Sequence, residues 1–324
     1  MKVAVTGGAG YIGSHFIREL VKNNDDIFVI DNLIRGHKES LPRKVNFIEM
    51  NINNNNGIFP LFCKEKFDAV VHFAAFAYVG ESVEDPGLYY ENNVIGSINL
   101  IKAAADAGIK KFIFSSTCSL YGNPETVPIT EKESIKPLNP YAKTKHIIEN
   151  VLQDFEKSAG INYVALRYFN AAGAHISGEI GESHQPEPHL IPLVLQTALG
   201  KRDQIYIFGD DYKTADGTCI RDYIHVTDLA KAHLLALNYL NSGKKSEIIN
   251  LGTGSGYSVK EIIRISEKVT GRKIKYSVAP RREGDPAILV ADNSYAQKIL
   301  GWKPEFNLEQ IISTAWKWHQ NPKY

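Results

Sequence analysis

The 324-residue chain contains only three cysteines, Cys63, Cys118 and Cys219. They are far apart and have neither disulfide nor metal-ligand spacing, which suits a reducing cytoplasm. No metal site is expected. No apolar run approaches the ~20 residues that a membrane-spanning helix needs. Met1 leads straight into a strand-like run without a leader pattern, so a cytoplasmic protein is expected. Blocks of like charge are also missing. Thirty-seven Lys and Arg face 36 Asp and Glu, for a formal net charge of +1. That balance leaves no electrostatic footprint for nucleic acid or a membrane surface. There is no internal repeat and no sustained low-complexity tract; the polar run Asn51 to Asn56 reads as a loop. What remains is an ordinary globular composition, long enough to favour two domains.

Short apolar runs alternate with helical patterns through the first half. Val3 to Val5, Ile27 to Ile30, Val45 to Ile48, Ala69 to Phe73 and Phe112 to Phe114 read as buried strands. Segments such as Ile12 to Val21 and Tyr89 to Ala105 have helical periodicity, and a further strand is expected at Tyr163 to Leu166. The alternation predicts an α/β fold, a doubly wound parallel sheet of Rossmann type with helices on both faces. Gly, Pro and His crowd the stretch Gly173 to Pro192, which predicts irregular backbone. Helical patterns dominate beyond it. The expected division is therefore a sheet domain over 1–168 and a smaller mixed α/β substrate domain over 169–324. One strand and helix of the second half would return to the first sheet.

TGGAGYIG, Thr6 to Gly13, joins the first strand to the first helix. Gly8, Gly10 and Gly13 fit G-x-G-x-x-G, and Gly7, Gly10 and Gly13 equally fit G-x-x-G-x-x-G. Glycines at such a junction allow a tight turn, close approach to a pyrophosphate and close packing of helix on strand. The helix start then offers free N–H groups to phosphate. Asp31 ends the second strand, where a carboxylate would accept hydrogen bonds from a ribose diol and repel a 2′-phosphate. NAD is expected rather than NADP, with Arg35, His37 and Lys38 treated as loop surface.

NPYAKTK, Asn139 to Lys145, starts a helix with a capping side chain followed by proline. Tyr141 and Lys145 lie one turn apart, and Ile148, Leu152 and Phe155 continue their line, so this face turns inward. An ammonium beside a phenol favours the phenolate, which would make Tyr141 an acid–base group for a sugar or alcohol hydroxyl. FSSTCSLYG, Phe114 to Gly122, follows the fifth strand and could hold that hydroxyl in line.

The glycine loop, the FSST segment and the Y-x-x-x-K pair together resemble the extended short-chain dehydrogenase/reductase superfamily. VIDNL, HFAAFAYVGESV, YYENNVIG, LRYFNAAGAH, RDYIHVTDLA, INLGTG and APRREGDP are similar to the UDP-glucose 4-epimerase family, in the usual order from residue 3 to beyond residue 290. The resemblance implies an isomerase with tightly bound NAD, UDP-galactose and UDP-glucose as substrates, and a homodimer. It implies that Tyr141 acts as the base, Lys145 holds the nicotinamide ribose, and Thr117 binds the sugar 4-hydroxyl.

For the cofactor it implies Gly7, Gly10, Tyr11, Ile12 and Gly13 at the pyrophosphate and Asp31 and Asn32 at the ribose. Asn51 and Ile52 would lie at the adenine, Phe73, Ala74, Ala75 and Phe76 under the dinucleotide, with Asn92, and Phe169 on the nicotinamide side. Ala77 stands where a lysine is often found. For UDP-sugar it implies Asn170, Phe208, Arg221, Tyr223, Arg282, Asp285 and Leu289, with His189 in place of a more usual Asn. Arginine suits a diphosphate through its rigid fork of donors. Leu289 is intermediate between the bulky and small residues that go with plain and N-acetylated sugars. Good activity on UDP-galactose and some on UDP-GlcNAc are therefore expected, with a UDP-N-acetylglucosamine or dual-specificity 4-epimerase as the alternative. A 4,6-dehydratase would need an acid and a base where Cys118 and Ser119 stand, neither of which is suitable.

Overall fold

A computed structural model describes residues 1–282 and 285–324. Glu283 and Gly284 of the RREGDP motif lie outside the described residues. The strands are β1 (Lys2–Thr6), β2 (Asp26–Asp31), β3 (Asn46–Glu49), β4 (Ala69–His72), β5 (Lys111–Thr117), β6 (Asn162–Tyr168), β7 (Asn170–Ala172), β8 (Ile205–Phe208), β9 (Ile220–His225), β10 (Glu247–Leu251), β11 (Gly256–Ser258), β12 (Tyr276–Ala279) and β13 (Ile288–Leu289). The α-helices are α1 (Tyr11–Lys22), α2 (Asn55–Glu65), α3 (Val79–Glu84), α4 (Pro86–Tyr89), α5 (Gly96–Asp106), α6 (Pro140–Ala159), α7 (Leu190–Ala198), α8 (Val226–Asn241), α9 (Val259–Thr270), α10 (Ser294–Leu300) and α11 (Leu308–Gln320).

Seven parallel strands form the main sheet in the order β10-β6-β5-β4-β1-β2-β3. Side chains alternate across a strand, so each strand feeds two cores. Val3 and Val5 pack with Phe16, Ile17 and Leu20 of α1 and Leu229 and Leu237 of α8. Ala4 faces the other way, towards Ile58 and Phe62 of α2, Leu100 and Ala104 of α5, and Ile148 and Leu152 of α6. This double burial is why the strands read as continuous apolar runs. The order in which strands are added reverses between β1 and β4, and the crevice beyond their carboxyl ends is where such sheets bind ligands.

A third core joins Ile191 and Leu195 of α7, Ile262 of α9, and Ile311 and Ile312 of α11 with β8 and β9. Beside it β7, β11 and β13 all pair with β9. No helix or strand lies between Ala172 and Leu190.

Two local expectations are corrected. The polar run Asn51 to Asn56 is not all loop, because α2 begins at Asn55, where burial of Ile58 and Phe62 one turn apart overrides weak asparagine propensity. The helix expected over Tyr89 to Ala105 widens into a π-helical turn at Tyr90–Ile95 before α5.

Candidate active site

Gly7 has φ +70°, and a Cβ there would stand 2.4 Å from the Ala74 nitrogen, so only glycine lets the β1 and β4 loops touch. A Cβ on Gly13 would meet the Gly7 carbonyl at 2.4 Å, so the third glycine sets the packing of α1 under the loop. Gly10 caps α1 without a side-chain hydrogen bond, and the first-turn N–H groups of Tyr11, Ile12 and Gly13 precede the intrahelical ladder. These donors, with the helix dipole behind them, suit an anionic diphosphate.

A cleft of about 550 Å³ opens over this loop. It brings together Gly7, Gly10, Asp31, Asn32, Ile52, Phe73, Ala74, Ala75, Phe76 and Asn92. Asn51 does not line it; its side chain accepts from the Asn53 N–H at 2.9 Å. Asp31 is fixed at the cleft wall by the N–H groups of Ala9 at 3.0 Å and Leu33 at 2.9 Å. Burial pushes its carboxyl up, and those hydrogen bonds oppose the shift. A carboxylate at a strand end beside a glycine cradle fits a dinucleotide with a free ribose diol.

Arg35 and His37 are half-buried rather than loop surface, whereas Lys38 is exposed. Arg35 lines the cleft, pairs with Glu81 and lies 4.4 Å from the Tyr78 ring centroid. His37 bonds the Ser183 carbonyl at 3.0 Å and stacks on Tyr324, while the Lys38 ammonium lies over Phe47. Each finds a long-range partner that local sequence does not display.

The π-helical turn hides a residue that motif reading passed over. Asn93 is buried and clamps Phe76, accepting from its N–H at 2.8 Å and donating to its carbonyl at 2.9 Å. The same amide donates to Thr144 Oγ1 on α6 at 3.2 Å. Asn93 thus ties the cleft floor to the helix bearing Tyr141. Its only sequence signal is the doubled asparagine of YYENNVIG, in a turn type often found at functional sites.

Asn139 caps α6 by accepting from the Ala142 N–H at 2.9 Å, and Pro140 takes the first helical position. Tyr141 then packs with Phe76 and Tyr89, and Lys145 is 4% exposed. The ammonium donates to the Ser115 carbonyl at 2.8 Å and stands 5.0 Å from the Phe114 ring centroid. Burial lowers Lys145 to about 7, against the upward pull of Glu149. Burial pushes Tyr141 up to about 12, with Thr117 pulling it down. Among the described residues no hydrogen bond joins the two side chains. Burial of the phenol is thus the largest influence on Tyr141 without a cofactor beside it. Thr117 Oγ1 accepts from the Ser119 N–H at 3.2 Å. Behind it, Glu149 is buried against Arg167 at 2.6 Å and also accepts from Ser116, a network not anticipated from sequence.

Four of the remaining expected residues, Asn170, Arg221, Tyr223 and Leu289, lie on β7, β9 and β13. Asn170 stands opposite Tyr223, and Leu289 opposite Arg221, in parallel register. Arg221 pairs with Asp285 at 2.8 Å, and Arg282 lies 3.9 Å over the Phe208 ring. Leu289 and Phe169 share a small core with Cys118, which brings β13 against the Thr117 turn. His189 precedes α7 and bonds Glu187 rather than capping the helix with its side chain.

The family of NAD-dependent epimerases and dehydratases matches residues 3–252. A UDP-glucose 4-epimerase of Lacticaseibacillus casei is 47% identical over 99% of this chain and 97% of its own length. The crystal structure of UDP-glucose 4-epimerase from Brucella ovis in complex with NAD superimposes with a TM-score of 0.94, at 47% identity over 97% of each chain. That of Stenotrophomonas maltophila, with bound NAD and formylated UDP-arabinopyranose, gives 0.95 at 40% identity, covering 99% of this chain and 98% of its own. No helix among the described residues is long and apolar enough to cross a membrane. The chain belongs to the NAD-dependent epimerase/dehydratase family, in its UDP-glucose 4-epimerase branch.

Proposed function

We propose that this chain epimerises UDP-galactose and UDP-glucose at C4 with tightly bound NAD. The observation that carries the reading is the placement of Tyr141, packed on the cleft residue Phe76 and beside Thr117. Bound NAD would supply reversible hydride transfer at the sugar C4, by way of a 4-keto sugar, and a positive charge near the phenol. Tyr141 takes the 4-hydroxyl proton and gives it back; Thr117, donor and acceptor at once, holds that hydroxyl in line. Lys145, anchored on Ser115, orients the nicotinamide ribose. The loop from Phe73 to Phe76 and the first turn of α1 hold the dinucleotide, and Asp31 and Asn32 hold the adenine ribose. Asn51 and Ile52 would serve the adenine end and Asn92 the cleft floor, with Phe169 on the nicotinamide side.

On the substrate side, Arg221 and Arg282 bind the diphosphate, and Asn170, Tyr223, Phe208, Asp285 and His189 complete the UDP site. Leu289 limits the space at the sugar. The division of labour is a cofactor domain over 1–168, joined by β10 and α8, and a UDP-sugar domain over 169–324. A homodimer in the cytoplasm fits the family resemblance. Denaturing the purified protein should release NAD, and the native enzyme should convert UDP-galactose with no cofactor added. Absence of released nucleotide together with no turnover would end this reading. Parallel assay of UDP-GlcNAc measures how far Leu289 admits an N-acetyl group.

A further inference from the structure

The irregular stretch before α7 reads GESHQPEPHL, with Glu182, His184, Glu187 and His189 in the pattern E-x-H-x-x-E-x-H. Nothing in the epimerase reading uses the first three. The backbone folds so that one ligand atom from each of the four lies within 4.8 Å of every other. His189 Nδ1 is 2.8 Å from both Glu182 Oε1 and Glu187 Oε1. His184 Nδ1 stands 3.2 Å from Glu182 Oε1 and 3.7 Å from Glu187 Oε2. Zinc bound to nitrogen and oxygen at about 2.0–2.2 Å in a tetrahedron spaces its ligand atoms about 3.4 Å apart, within that spread.

Two further observations point to an ion. The carboxylates of Glu182 and Glu187 are 4% and 6% exposed, and two like charges buried together need compensation, from a bound cation or from protonation of the two histidines beside them. Nearby arginines are committed elsewhere, Arg35 to Glu81 and Arg18 to Glu179. In addition, His184 Nδ1 is buried and has no hydrogen-bond partner among the described residues, although it faces both carboxylates. A buried ring nitrogen without a hydrogen-bond partner is a group that a bound ion would satisfy. The surrounding backbone is held: Trp318 donates to the Glu182 carbonyl at 2.9 Å, and Arg35 to the Gln185 carbonyl at 3.2 Å. Tyr11 and Tyr78 set their ring edges against His184.

We infer that Glu182, His184, Glu187 and His189 form a tetrahedral site for a divalent transition cation of the zinc class. Neutral imidazoles and two carboxylates around such an ion leave no net charge. The absence of a metal site expected from the cysteine spacing is not met here, because the ligands are two glutamates and two histidines. All four ligands come from residues 182–189, so the ion closes this irregular loop on itself just before α7, with the Tyr11 ring at the start of α1 packed beside it. Its role is structural, and of its four ligands only His189 is shared with the epimerase reading.

The test is zinc titration of the chelator-treated holoenzyme against a chromophoric zinc indicator, with cobalt(II) as a spectroscopic probe. Wild type should bind one zinc ion per chain, gain thermal stability from it, and give the intense visible bands of tetrahedral cobalt. H184A and E187Q should each weaken zinc binding at least about 100-fold, the upper range seen for mere outer-shell partners. Far-UV circular dichroism checks their folding, and H184N serves if H184A fails to fold. Wild type that takes up no more zinc than the variants, or that leaves cobalt octahedral, would overturn the site whatever the variants do. The four side chains would then be a protonated imidazole–carboxylate cluster only.

Discussion

The Lys145 ammonium, one helical turn beyond Tyr141, is bonded to the Ser115 carbonyl at 2.8 Å. That contact, with the Ser116–Glu149 hydrogen bond, joins α6 to β5, the two elements that carry the phenol and the Thr117 hydroxyl. The lysine therefore sets the geometry of the pair while burial works against its own charge.

This has a pH signature in the cofactor-free protein. Burial lowers Lys145 to about 7, whereas the unfolded chain keeps the proton to about pH 10.4. Between those values the unfolded state binds more protons, so wild-type stability rises with pH. Lys145→Met removes the group from both states. The wild-type melting temperature minus that of the variant should climb from pH 7 to pH 10. A constant difference across that range would mean the ammonium is not desolvated as the geometry requires.

Tyr141→Phe deletes one oxygen from a ring packed between Phe76 and Tyr89. Turnover of UDP-galactose should fall by about 10²–10⁴, the usual contribution of a positioned acid–base group. The NAD released on denaturation should stay at the wild-type level. Retained turnover would remove Tyr141 from the chemistry.

Asn93 satisfies both backbone groups of Phe76 in a buried position. Asn93→Ala leaves them unpaired and should cost about 1–3 kcal/mol in urea unfolding. It should also speed NAD loss, because the loop from Phe73 to Phe76 lines the cleft. If stability falls while cofactor release is unchanged, the clamp is structural and does not position the site.

Four histidines should govern acid sensitivity. Burial lowers His15, His72 and His225 to about 3 and His233 to about 4. A depressed folded value means stability that is full above about pH 6.5 and lost as pH falls, since the unfolded chain takes up protons first. Asp228, pushed up to about 6 by burial, opposes part of this. His233 donates from Nδ1 to the Leu229 carbonyl, and its Nε2 is unpartnered among the described residues. His233→Leu should flatten the acid limb by about 1.4 kcal/mol per pH unit near pH 5, one proton's worth. An unchanged slope in calorimetry from pH 4 to 7 would contradict it.

What could be read from the chain alone was local or periodic. The strand alternation, the glycine junction, the Asn139–Pro140 helix start and the inward line from Tyr141 to Leu152 all depend on near neighbours, and backbone geometry decides them. What a side chain meets across the fold is not written in its neighbourhood. Lys145 finds Ser115, Asn93 finds Phe76, Arg35 leaves the loop surface for Tyr78, and two glutamates meet two histidines only after an irregular segment folds back on itself. Those partnerships join residues up to dozens of positions apart, or need a backbone path without periodicity, so packing decided them.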